Sequence, residues 1–151
     1  MFSCRGESID DIQNIDQILK VYIKDSSGND LLNTNVAGAF YSVDFKDLGA
    51  SYDRVAISTS LKTDAESVKY KEYIAGATRI LQPDATDTYK IYKSEIAVQY
   101  KTTSTSDIEE DIMEIYYEWT PQVFRITSIT YNDVEVFQKV EGQPNIITIV
   151  K

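Results

Sequence analysis

Met113-Glu114-Ile115-Tyr116-Tyr117-Glu118-Trp119 alternates between apolar and polar positions with a period of two. Successive side chains of a strand point to opposite faces, so Met113, Ile115, Tyr117 and Trp119 share one face and Glu114, Tyr116 and Glu118 the other. The approach to this stretch is ambiguous, because Ile108, Ile112, Ile115 and Trp119 also fit a helical stripe beginning near Asp107. The alternation at the end and the Tyr116-Tyr117 pair favour a strand for the second half.

The same period recurs on both sides. Downstream, Thr120-Pro121-Gln122 breaks the run, since proline cannot donate to a ladder. Phe124 and Ile126 follow, then a phase slip at Thr127-Ser128 and the pair Ile129 and Tyr131. Asn132-Asp133 suits the positive backbone angles of a tight hairpin turn. Val134 and Val136 return, and Ile146 to Val150 forms a closing strand. Upstream, Leu19, Val21 and Ile23 alternate with Lys20, Tyr22 and Lys24, and Asp25 to Asp30 closes that strand as a turn. Val55, Ile57, Thr59 and Leu61 read as one face of a single strand. Val68, Tyr70, Ile74 and Ile80 share a parity, with Gly76 marking a bulge or bend. Between Tyr89 and Lys101 the phase slips at Ser94-Glu95, which one β-bulge would restore. Tyr70, Tyr117 and Trp119 share their parities with aliphatic residues and are assigned to the core.

These segments predict an all-β fold, an antiparallel β-sandwich of about eight or nine strands in a single domain over residues 17–151. Residues 1–16 read as a polar tether. Ile9, Ile12 and Ile15 recur there at helical spacing, which allows a short docked turn as readily as a frayed terminus. Composition agrees: Ile, Val, Thr, Tyr, Phe and Trp together number 59, against 17 for Leu, Ala and Met.

Absent residue types narrow the function. The 151 residues contain no histidine, which removes Ser-His-Asp and Cys-His catalysis and imidazole metal sites. A net charge of −9 argues against nucleic-acid binding, and the densest basic group, Lys62, Lys69 and Lys71, is interrupted by Asp64 and Glu66. No stretch is long and apolar enough to span a bilayer as a helix. The single cysteine, Cys4, follows Met1-Phe2-Ser3. An apolar residue at −3 and a small one at −1 match the end of a lipoprotein signal peptide, so Cys4 is the candidate lipid attachment site. Membrane contact is then expected only through that anchor.

Three clusters invite chemistry. Asp25-Ser26-Ser27-Gly28-Asn29-Asp30 offers oxygen ligands around a glycine but lacks the EF-hand spacing and a bidentate Glu, so it reads as a turn that needs no metal. Asp107, Glu109, Glu110, Asp111 and Glu114 read as a solvated acidic loop rather than a cation site. Glu114 and Glu118 could in principle act as paired carboxylates, but on an extended strand their backbones stand roughly 13 Å apart. No cofactor is implied. Eleven tyrosines are more than a core of this size requires, and Tyr22 and Tyr116 lie on the polar parity of their strands. An exposed tyrosine stacks on sugars or anchors a protein, so these two are the candidate ligand-binding residues.

The cysteine and its polar tether, the segment Ile23-Lys24-Asp25-Ser26-Ser27-Gly28-Asn29-Asp30-Leu31-Leu32-Asn33, and the tail from Tyr131-Asn132-Asp133 to Ile147-Thr148-Ile149-Val150-Lys151 together resemble small envelope lipoproteins of Bacteroidetes-type bacteria. The resemblance covers the two ends and leaves Ala39 to Thr105 unmatched; Asp133 stands where the late hairpin commonly has Gly. It implies an immunoglobulin-like sandwich on the cell envelope, with function open. The expectation is a non-enzymatic, lipid-anchored module of the cell envelope, in a location that allows surface exposure, that binds a protein or glycan partner or supports a surface assembly. The alternative is a small soluble carboxylate-dependent hydrolase or an inhibitor-like domain.

Overall fold

A computed structural model describes residues 12–151. Its strands are β1 (Asn14–Asp16), β2 (Leu19–Lys24), β3 (Ser42–Asp47), β4 (Val55–Ile57), β5 (Ser60–Thr63), β6 (Lys69–Tyr73), β7 (Ile80–Leu81), β8 (Lys90–Lys101), β9 (Glu109–Trp119), β10 (Val123–Tyr131), β11 (Val134–Gln138) and β12 (Asn145–Val150). The larger sheet runs β1-β10-β9-β8-β3-β4, with β11 also on β10 and β7 on β8; the smaller runs β12-β2-β6-β5. Among the described residues there is no helix, and Asp107–Trp119 resolves as strand from Glu109 onward.

The two sheets face each other across one apolar core. Leu19, Val21, Ile23, Ile147 and Ile149 come from the smaller sheet; Phe45, Ile96, Met113, Ile115, Ile126 and Ile129 come from the larger. Burying side chains of this size at ~1.5–3 kcal/mol each drives the sheets together. Along β2 and β12 burial alternates strictly, as period-two patterning requires.

The pairing is not purely antiparallel. β12 pairs with β2 in parallel over its whole length, and β1 pairs with β10 in parallel. The chain reaches β12 from the other sheet, so no hairpin constrains its direction. Asn14–Asp16, the end of the segment read as a tether, belongs to the larger sheet.

Several local readings need correcting. The expected strand from Val55 to Leu61 divides at Ser58-Thr59, where the chain leaves β4 of one sheet and enters β5 of the other. Val55 and Leu61 are accordingly exposed. The slip expected at Ser94-Glu95 is absent: β8 holds one register with β9 from Lys90 to Tyr100. Tyr92, Ser94, Ile96, Val98 and Tyr100 form its inward face, and the buried serine hides that continuity. The slip near Ser128 is real, as β10 shifts register against β9 between Ile126 and Ser128. Asn132 and Asp133 both have positive φ, as the hairpin requires.

Tyr70 is buried, but outside the apolar core. It lies against Tyr22 at 5.3 Å between ring centroids, beneath the Lys20 amine at 5.2 Å, on the outer face of the smaller sheet. Its neighbour Lys71 takes the inward side, since it pairs with the fully buried Val21. Burial pushes the Lys71 amine below its ordinary range.

Candidate functional site

Strand length creates the site. β8 has 12 residues and β9 has 11, whereas β2 and β12 have six each. At ~3.3 Å per residue the long strands outrun the short ones by about 16–20 Å. At the end where β9 finishes, the inner face of the larger sheet is covered by Arg79 of the β6–β7 segment over Tyr117 and Phe124. Trp119 from β9 and Phe124 from β10 lie there as register partners, and Tyr92 from β8 stands opposite Tyr117, one inward position back along the ladder.

These aromatics wall a cleft of about 380 Å³, completed by Gln13, Ile15, Gln17 and Arg79. That volume lies in the ordinary range for small-molecule sites, ~300–1,000 Å³. Phe124 stacks on Tyr117 at 5.1 Å and meets Tyr92 edge-on at 6.4 Å, which fixes the ring planes. Trp119 and Tyr92 are only partly buried and pack against the edge of the core.

Two cations stand over these rings. The Arg79 guanidinium lies 4.3 Å from the Phe124 centroid, and the Lys90 amine lies 4.0 Å from that of Trp119. Arg79 donates to Gln17 Oε1 at 2.5 Å, and Gln13 Nε2 donates to the Thr120 carbonyl at 2.7 Å. Neither cation has a carboxylate within salt-bridge reach among the described residues; those bridges use Arg54, Lys62, Lys93, Arg125, Lys139 and Lys151.

Arg79 is held in place from behind. The buried Asp47 carboxylate accepts from Thr78 N at 3.0 Å, Thr78 Oγ1 at 2.7 Å and Gly49 N at 2.9 Å. Tyr73 Oη accepts from Ala77 N at 3.0 Å. Gly76, at φ +126°, allows the tight bend before them, with its missing Cβ 3.2 Å from Ile57. The crossing loop between β6 and β7 is thus pinned immediately before Arg79.

The residues singled out from sequence are not gathered here. Tyr22 lies on the outer face of the smaller sheet, donating to Asp64 Oδ2 at 2.8 Å; burial and that carboxylate push its hydroxyl up to about 12. Tyr116 is half-buried on the outer face of the larger sheet, paired with Lys93 and Ser128. The core separates the two, so they do not form one site. Cys4 lies outside the described residues.

From Glu109 onward the acidic run lies on β9 rather than in a loop, while Asp107 precedes the strand. Glu110 pairs with Arg54 and accepts from Gln99, which holds its carboxyl down at about 2. Asp111 faces inward to Tyr131, Asn132 and Lys151. Glu114 meets Lys93 at 3.5 Å and Thr130 at 3.0 Å, and Glu118 meets Arg125 at 2.8 Å. Asp25 accepts from the backbone of Ser27 and Asn29 and from the Asn29 amide, so its turn is closed by its own hydrogen bonds.

The cleft was missed because Trp119 shares the parity of core residues. Its position as the last residue of a long strand before the Thr120-Pro121 break was the available signal. Comparison with known proteins finds no matching family model, no matching curated protein and no matching solved structure.

Proposed function

We propose that this chain is a non-enzymatic binding module of the bacterial cell envelope, anchored by lipid at Cys4, whose aromatic cleft takes a glycan partner. The observation that carries the binding role is the cleft at this end of the larger sheet, where Tyr92 and Trp119 are only partly buried around the buried Phe124. Aromatic walls offer apolar area to the C–H faces of sugars, and the Gln13 and Gln17 amides add polar groups beside them. This moves the site from Tyr22 and Tyr116 to the end of the sandwich. Two facing sheets around one core support the immunoglobulin-like kinship that the lipoprotein resemblance implies; the parallel β12–β2 pair is a departure from it.

The test is binding to immobilised glycans by wild type and Trp119→Ala, with thermal midpoints measured in parallel. Loss of binding by a folded variant supports the cleft, and unchanged binding removes it. Anchoring is tested separately by fractionating the native host, comparing wild type with Cys4→Ala by intact mass. An acylated, membrane-associated wild type that becomes soluble on Cys4→Ala supports the envelope placement. A product insensitive to the substitution sinks it.

A further inference from the structure

The cleft's charge specifies its ligand. A protein carrying −9 overall holds Arg79 and Lys90 at this one end, each resting on an aromatic face with no carboxylate of the described residues in salt-bridge reach. A cation over a ring keeps its full charge, since the ring supplies only a quadrupole. Elsewhere on the larger sheet Arg125 has Glu118, and Lys93 has Glu95 and Glu114. Lys46 and Lys101, like Arg79 and Lys90, bridge to no carboxylate among the described residues; what sets Arg79 apart is its place over the aromatic lining of the cleft. Here the positions that could have held a carboxylate hold Gln13 and Gln17 instead.

Resting on the glycan reading above, we infer that the cleft takes an acidic glycan, a chain bearing uronic-acid carboxylates. The sugar ring lies against the Trp119 and Tyr92 walls, and the carboxylate pairs with the Arg79 guanidinium, whose fork matches it in a bidentate manner. Lys90 moves aside from the Trp119 face on its flexible stem and supplies a second positive charge. The overall negative charge disfavours polyanions on most of the surface, and this end sets two cations beside aromatic walls against which a sugar ring can also lie.

The experiment is calorimetric titration of the full chain with oligogalacturonate, oligomannuronate and oligoglucuronate. Each is paired with its carboxyl-reduced counterpart, which keeps the ring and loses the charge. The expected result is binding of at least one acidic oligomer, at least tenfold tighter than its reduced partner and weakening as salt rises. Arg79→Gln should weaken it tenfold or more and Lys90→Gln severalfold, with both variants folded and their thermal midpoints lowered only slightly. Equal affinity for acidic and reduced forms overturns the acidic specificity while leaving the glycan cleft standing. Failure of every oligomer, acidic and reduced, overturns both. Acidic binding unaffected by Arg79→Gln, Lys90→Gln and Trp119→Ala places the polyanion elsewhere and also overturns the inference.

Discussion

β9 carries two opposite kinds of chemistry on one inward face. At its start, Asp111 sits in a closed network: Tyr131 donates to it at 2.7 Å, Lys151 at 2.6 Å, and the Tyr100 and Tyr131 hydroxyls are hydrogen-bonded to each other. Eight residues later, Trp119 lines an open cleft with cations that no described carboxylate neutralises. At the first end Lys151 answers Glu109 and Asp111 and ties the smaller sheet to the larger, beside a cleft of about 370 Å³ that these three residues help to line. At the second the smaller sheet stops short and the charges face outward. Both ends carry a cleft of similar volume, but at one the cation holds the sheets together and at the other it does not.

The largest expected effect breaks the closed end. Asp111→Ala strands the Lys151 amine and the Tyr131 hydroxyl in a site where Asp111 is only 8 % exposed. Removing one partner of such a pair costs about 3 kcal/mol. Urea unfolding should show the midpoint fall with an unchanged slope. A loss below about 1 kcal/mol would mean that the network does not tie the sheets.

Acid should open the same end by titration. Burial alone would raise the Asp111 carboxyl, but hydrogen bonds from Lys151, Asn132 and Tyr131 outweigh it and hold the group below its ordinary value. A carboxylate with a depressed folded pKa adds stability above its unfolded pKa, ~3.9, and loses that contribution as pH falls through the folded value. Glu110, held at about 2, acts in the same sense. Thermal midpoints should therefore decline from about pH 5 downward, and more shallowly in Asp111→Asn. Parallel declines in the two proteins would clear Asp111 of the effect.

The two ends were not equally legible in sequence. Alternation at Leu19–Ile23, Met113–Trp119 and Phe124–Tyr131 reveals strands and most of the core, because those signals are local. The cleft follows from a mismatch in length between β8 and β2, strands far apart in the chain, and its local trace is slight: Trp119 as the last residue of a long strand before Thr120-Pro121. Parity put Trp119 on the correct face but could not show that the facing sheet ends before it. Tyr22 illustrates the converse: its parity is outward as read, yet its hydroxyl is taken by Asp64, a partner 42 residues away. Ser94 and Lys71 mislead for a related reason, being polar residues at inward positions.

At the open end the effects on stability should shrink while those on binding grow. Asp47 marks the transition, since its three hydrogen bonds fix the loop that delivers Arg79. Asp47→Asn keeps the shape and one acceptor oxygen but loses charge-assisted bonds, so we expect about 1–2 kcal/mol of destabilisation. Weakened oligouronate binding should accompany it as Arg79 loses its anchor. Destabilisation with undiminished binding would show that Arg79 is placed by its own contact with Phe124 and Gln17.

The smallest stability effect is expected at Lys90, and it separates the ends most sharply. Lys90 gives the fold a cation–π contact with Trp119, and at a surface site such a contact contributes about 0.5–1 kcal/mol. Gln at this position retains part of the aliphatic stem and its packing on the indole, so Lys90→Gln should cost no more than about 0.5 kcal/mol. The Lys151 amine, 4.3 Å over the Tyr100 ring, makes the same kind of contact at the closed end. There, Lys151→Gln should cost several times more, because it also unpairs Asp111. Measuring both variants by urea unfolding places one cation–π geometry in two surroundings. If they destabilise equally, the carboxylate at the closed end adds nothing, and the division of β9 into a holding end and an available end fails. If Lys151→Gln costs more while Lys90→Gln changes only ligand affinity, charge at the open end is kept for a partner rather than for the fold.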